Sequence, residues 1–159
     1  MTQKDIRQLP YRPCVGVMLA NKDGKIFVGE RLDTPEAWQM PQGGIDEGET
    51  PETAAFRELE EEIGVSAHDV IVVGQTSDWV NYDFPPEIVA KVANGRFRGQ
   101  TQMWFLMRLS ANDDAINIET KYPEFGRWRW ADINTIVGEI VPFKRPVYEK
   151  VVAEFRDMI

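Results

Sequence analysis

The chain contains one cysteine, Cys14, and one histidine, His68. A single cysteine excludes an internal disulfide and suits a reducing cytoplasm. A single histidine excludes a multi-histidine metal site, and any Ser-His-Asp or Cys-His arrangement would hang on that one residue. Positive charge is also scarce. Eighteen Lys and Arg against 26 Asp and Glu leave a net charge of −8, the wrong sign for a general basic nucleic-acid surface. No apolar run approaches the ~20 residues needed to cross a bilayer. The stretch Met1–Pro10 lacks the apolar segment of a secretory signal. Hydrolytic chemistry in such a chain rests on carboxylates. To handle a polyphosphate it needs divalent cations and a few placed Arg or Lys side chains as intermediaries.

What is present fits one domain over residues 1–159, with no repeat, linker or low-complexity segment. Val15–Ala20 reads as a buried strand, Asn21-Lys22-Asp23-Gly24 as a turn and Lys25–Arg31 as a second strand, together resembling a hairpin. Residues 32–50, with Pro35, Pro41, Gly43, Gly44 and Gly48, read as a loop. Thr50 is a good N-cap, Pro51 suits the first helical position and Gly64 the C-cap, predicting a helix over 51–63. Strands are expected from Val70, over Thr101–Leu109 and over Phe125–Ala131, while Pro85–Asn94 reads as a short helix or an insertion loop. Val147, Val151 and Phe155 put an apolar stripe on a closing helix over 143–158. Strands mixed with two or three helices indicate an α/β or α+β layered domain. Trp128 and Trp130 share one strand face, with Arg127 and Arg129 opposite, and such a pair is more often core than a base-stacking platform. Cys14 reads as a small buried apolar residue.

The run Arg57-Glu58-Leu59-Glu60-Glu61-Glu62-Ile63-Gly64 carries most of the chemical information. At roughly 100° per residue, Ala55, Phe56, Leu59 and Ile63 form a core-facing arc, and Glu58, Glu61 and Glu62 fall on the adjacent one. Like charges at these spacings oppose the helix by roughly 0.2–0.5 kcal/mol per pair. Arg57 offsets part of that through Glu61. A hard cation such as Mg²⁺ bridging the carboxylates removes the repulsion. Taken alone, a glutamate-rich helix face is usually just solvated.

The flanking residues change that reading. Gly43, Glu49, Arg57, Glu58, Leu59, Glu61, Glu62, Gly64 and Val65 satisfy every specified position of G-x5-E-x7-R-E-U-x-E-E-x-G-U, where U is bulky and apolar. The chain thereby resembles the Nudix hydrolases. Tyr11-Arg12-Pro13, Trp38–Gly44, Trp79–Pro85, Gly99-Gln100, Trp104-Phe105-Leu106, Pro123-Glu124-Phe125, Trp128-Arg129-Trp130 and Phe143-Lys144-Arg145 extend the likeness over nearly the whole chain. They resemble the subgroup of bacterial RNA 5′-pyrophosphohydrolases and asymmetric dinucleoside tetraphosphate hydrolases.

That resemblance implies an α/β/α sandwich around a mixed sheet. It implies a metal set of Glu58, Glu61 and Glu62, joined by the Gly43 carbonyl and by Glu124 from a distant loop. Glu62 and Glu61, in that order, are the candidate general bases, and Glu49 with Arg57 forms a structural brace. Arg12, Arg31, Tyr82 and Lys144 match positions near the substrate phosphates, and Phe143 matches one that stacks on a base. The implied cofactor is Mg²⁺, or another divalent cation such as Mn²⁺, with about two or three ions. The implied substrate is 5′-triphosphate RNA, or alternatively a dinucleoside polyphosphate, with no membrane and no DNA involved and no protein partner identified. A catalytically silent nucleotide-binding module is the third reading, and the intact glutamates oppose it. Thr101 and Met103 depart from the subgroup, which often carries basic residues there.

Overall fold

The computed structural model describes residues 2–159. Its elements in chain order are α1 (Gln3–Arg7), β1 (Tyr11–Ala20), β2 (Ile26–Arg31), β3 (Trp38–Gln39), β4 (Gln42–Gly44), α2 (Pro51–Ile63), β5 (Val70–Gln75), β6 (Val80–Asp83), α3 (Pro86–Val89), β7 (Gly99–Leu109), β8 (Phe125–Ala131), α4 (Ile136–Glu139) and α5 (Arg145–Phe155). The eight strands form one mixed sheet in the order β3-β2-β1-β7-β5, with β4 on β1, β6 on β7 and β8 on β2. β1 and β7 run parallel from Tyr11↔Gly99 to Ala20↔Arg108.

This parallel pair explains the unbroken burial from Cys14 to Ala20, because a strand covered on both faces has no solvent side to alternate with. Val15, Val17 and Leu19 point with Phe105 and Met107 toward Ala54, Ala55, Leu59 and Ile63 of α2. Met18 and Ala20 point with Trp104 and Leu106 toward Val147, Tyr148, Val151 and Phe155 of α5. Two helical layers thus enclose the sheet, as the α/β/α reading expected. At Gly16 a β-carbon would collide with the Trp104 indole, so the middle of β1 needs glycine.

The structure corrects three parts of the sequence reading. The expected hairpin is present as an antiparallel pair closed at Asn21–Lys25, but it splays beyond its one strand register pair, Ala20↔Ile26. The segment 38–44, read as loop, inserts between its strands: Trp38 and Gln39 pair with β2, Gln42–Gly44 pair with β1, and the Pro41 carbonyl accepts from Val17 N–H at 2.9 Å. Proline and glycine in 38–44 thus mark a bend between two short strands rather than loop throughout. The closing helix is regular only from Arg145 to Phe155, with 3-10 turns at Pro142–Lys144 and Arg156–Met158. The helix over 51–63 agrees at both ends, with Thr50 accepting from Thr53 N–H and Gly64 left-handed at φ 73°. Phe56 is only half-buried, at the margin of its expected arc.

The inserted segment is tied down from the α5 side. The Tyr148 hydroxyl, buried to 1% exposure, accepts from Met40 N–H at 2.8 Å. Tyr148→Phe leaves that buried N–H without its partner and is expected to cost about 1–3 kcal/mol, read as a lower urea midpoint with an unchanged slope.

Candidate active site

Arg57, on the first half of α2, organises the site. Its Nε and one terminal nitrogen donate to both carboxylate oxygens of Glu49, at 2.8 and 2.9 Å. The second of these nitrogens also donates to the Gly44 carbonyl at 2.8 Å. The remaining nitrogen donates to Glu58 at 2.9 Å and to Glu61 at 3.1 Å. The expected Glu49–Arg57 brace is therefore present, and one guanidinium ties together β4, the loop after it and α2. The Arg57 hydrogen bonds hold the Glu49 carboxyl down to about 2.

Glu58 leans across Gly43, where any β-carbon would occupy the space of the Glu58 carboxylate. Burial pushes the Glu58 carboxyl above its usual range, with the Arg57 hydrogen bond opposing. Glu61 lies on the exposed side of the helix. Glu62 is 7% exposed and accepts from Gln42 N–H at 3.3 Å. Its carboxyl is pushed well above the carboxylate range, first by burial and then by the charges of Glu58 and Glu124, while Arg31 opposes. Glu62 thus feels both Glu58 and Glu124, although Glu124 comes from the distant segment before β8. A cleft of about 910 Å³ runs between these walls, with α2 on one side and Thr120–Glu124 on the other.

The donors suit a hard divalent cation. They are all carboxylate oxygens, and among the described residues no Lys or Arg pairs with buried Glu62. Glu58 and Glu61 turn toward Arg57, Glu61 and Glu124 are exposed, and no three such groups among the described residues stand close enough to hold an ion without side-chain movement.

The expected substrate residues form a second group. Successive residues of a strand face opposite ways, so Gly43 of β4 faces Glu58 while Gly44 faces the Arg12 guanidinium, which fills the place of its β-carbon. Arg12 pairs across the sheet with Gln100, which in turn pairs with Tyr82. Tyr82, 7% exposed, has Phe143 at 6.0 Å between ring centroids and the Lys144 ammonium 5.9 Å above its ring. Burial pushes the Tyr82 hydroxyl upward. Burial, and then the Arg31 charge, pulls Lys144 down to about 8. Arg31 donates to Asp33 at 2.6 Å and to Gln39 at 3.3 Å. None of these five residues lines the glutamate cleft. β4 separates carboxylates from cations, and Arg31, which bears on both Glu62 and Glu124, links the groups.

Two features escaped the sequence reading. Gln42, Gln100, Gln102 and the Trp104 indole form a chain of hydrogen bonds behind the cation group. The alternation Gln100, Gln102, Trp104 on one strand face was the available signal. Thr120, Lys121 and Tyr122 line the cleft opposite the glutamates, in an irregular segment with no periodicity to reveal them. Trp128 packs flat on Phe27 at 5.5 Å with Trp130 edge-on to both, against the core. Cys14 is 1% exposed, and burial pushes its thiol up to about 11.

The brace sets a pH dependence. The folded-state Glu49 carboxyl lies below its ordinary value of 4.5, so its contribution is complete above that value and is lost as pH falls toward about 2. Glu49→Gln is expected to melt at lower temperature than the native chain at pH 7, with the gap closing as pH approaches about 2.5; thermal melts across that range check it.

A NUDIX domain model matches residues 10–151. An RNA pyrophosphohydrolase of Rhodospirillum rubrum is 58% identical over 146 residues, 92% of this chain and 87% of that protein. One from Dinoroseobacter shibae is 52% identical over 160 residues, the full length of both. Among solved structures, the dihydroneopterin triphosphate pyrophosphohydrolase of E. coli superposes with a TM-score of 0.70 at 22% identity, covering 91% of this chain and 99% of that one. With its fold, its brace and its glutamate-lined cleft, the chain belongs to the Nudix family.

Proposed function

We propose that this chain is an RNA 5′-pyrophosphohydrolase that converts 5′-triphosphate RNA to 5′-monophosphate RNA and releases pyrophosphate. The observation that carries the reading is buried Glu62, which forms no ion pair with Lys or Arg among the described residues, set beside Glu58 across a cleft from Glu124. The relatives named RNA pyrophosphohydrolase over nearly the whole chain support the choice of RNA.

The motif match and the glutamate-lined cleft support the following roles. Glu58, Glu61, Glu62 and Glu124, with the Gly43 carbonyl, would hold the cation, Mg²⁺ or Mn²⁺ in about two or three copies. Bound there, the cation would neutralise phosphate oxygens and make a water easier to deprotonate. Glu62, or failing it Glu61, takes the water's proton as the water oxygen attacks phosphorus, and pyrophosphate departs with the electrons of the broken P–O bond. Arg12, Arg31 and Lys144 bind phosphate oxygens nearer the nucleoside. The Phe143 ring stacks on a base, with Tyr82 supporting it from the side. Net charge −8 leaves no general attraction for RNA, so these few cations and the bound metal must supply it. No helix among the described residues is long and apolar enough to cross a membrane.

Purified protein with Mg²⁺ is expected to release pyrophosphate from end-labelled triphosphate RNA faster than it cleaves diadenosine tetraphosphate. The reverse order of initial rates assigns the dinucleotide as the main substrate. Glu62→Gln is expected to lower kcat on the order of 10²-fold or more, and full activity in that variant removes the residue from the chemistry.

Lys144 provides a pH test. It is cationic below about 8 and neutral above, so the KM for triphosphate RNA is expected to rise as pH climbs through that value. Lys144→Arg keeps its charge throughout and should flatten the rise.

A further inference from the structure

Five carboxylates line the cleft, Glu58, Glu60, Glu61, Glu62 and Glu124, and the only cations among its lining residues are Arg57 and Lys121. Arg57 has no donor to spare, because all three of its nitrogens are already committed to Glu49, Glu58, Glu61 and the Gly44 carbonyl. Lys121 is different. It is exposed, and among the described residues its ammonium forms no ion pair with a carboxylate; it lies 5.5 Å over the ring of its neighbour Tyr122. Tyr122 is itself 77% exposed. This wall therefore offers an unpaired cation to whatever occupies the cleft.

We infer that Lys121 holds the terminal phosphate of the triphosphate, the end that departs as pyrophosphate. The direction of the substrate follows from the two groups already described. The aromatic and basic residues that receive the nucleoside lie beyond β4, and the carboxylates that hold the cation come next. A phosphate chain entering from the nucleoside side and crossing the carboxylates reaches the far wall with its last phosphate. That phosphate carries the highest charge of the chain, and the far wall holds the one uncommitted cation among the lining residues. Lys121 is thus a specificity residue that reads the length of the phosphate chain.

The inference rests on the proposed RNA reaction, so its test compares the triphosphate substrate with a shorter one that would release orthophosphate instead of pyrophosphate. RNA of one sequence is prepared with a 5′-triphosphate and with a 5′-diphosphate, which lacks the terminal phosphate. Lys121→Ala is expected to raise KM for the triphosphate about tenfold and for the diphosphate less than about twofold. Inhibition by added pyrophosphate should weaken in parallel, and Lys121→Arg should restore both. Because Lys121 is exposed, the variant is expected to fold, and circular dichroism checks that it does. An equal loss on both substrates, or no loss on either, overturns the inference while leaving the RNA reaction in place. A native protein that cleaves neither RNA overturns the reaction itself, and with it this role.

Discussion

The bidentate contact between Arg57 and Glu49 is the constraint on which the site depends. A glutamate-rich helix face repels itself, and the chain after β4 has no regular structure to hold it. One planar guanidinium addresses both problems because its donors point in several directions at once. One edge takes Glu49 and the Gly44 carbonyl, and the other takes Glu58 and Glu61. A lysine at this position has a single ammonium and cannot span the same partners. The loop, the strand and the helix are thus placed by one side chain, and the glutamate cleft takes its shape from them.

The second constraint is the pleat of β4. Two adjacent glycines send their missing side chains to opposite sides, one vacated for Glu58 and the other for Arg12. Carboxylates that suit a cation are kept apart from cations that suit a phosphate, though the two groups are only a strand's thickness from each other. Without that separation they would pair and neutralise one another. Arg31 shows the tendency, since it already pairs with Asp33 and bears on Glu62 and Glu124. An acidic protein can in this way present a local basic surface to an anionic substrate.

Much of this was legible in the sequence, for definite reasons. The ends of α2 are written in single residues, Thr50, Pro51 and Gly64, whose effects are local. The three helix glutamates were legible because spacing along one helix fixes their relative directions, whereas the brace, whose Glu49 precedes the helix, was legible only through the motif match. The insertion of residues 38–44 between β1 and β2 was not, because strands of two or three residues are too short to show a period and their pairing is set by distant partners. The burial of Glu62 was also hidden. A helical wheel groups it with Glu58 and Glu61, and only the neighbouring β4 and the segment before β8 decide which of the three is enclosed. Lys121 and Tyr122 carried no signal, since nothing in their irregular segment says that it faces the cleft.

The proposed reaction requires a divalent cation held in this cleft on Glu58 and Glu62. Titration of the purified protein with Mn²⁺, followed by electron paramagnetic resonance, tests it without reference to any substrate. Saturable binding is expected in the native chain and should be strongly weakened in both Glu58→Gln and Glu62→Gln, with folding intact. Unchanged Mn²⁺ binding in both variants means that these glutamates do not hold the cation.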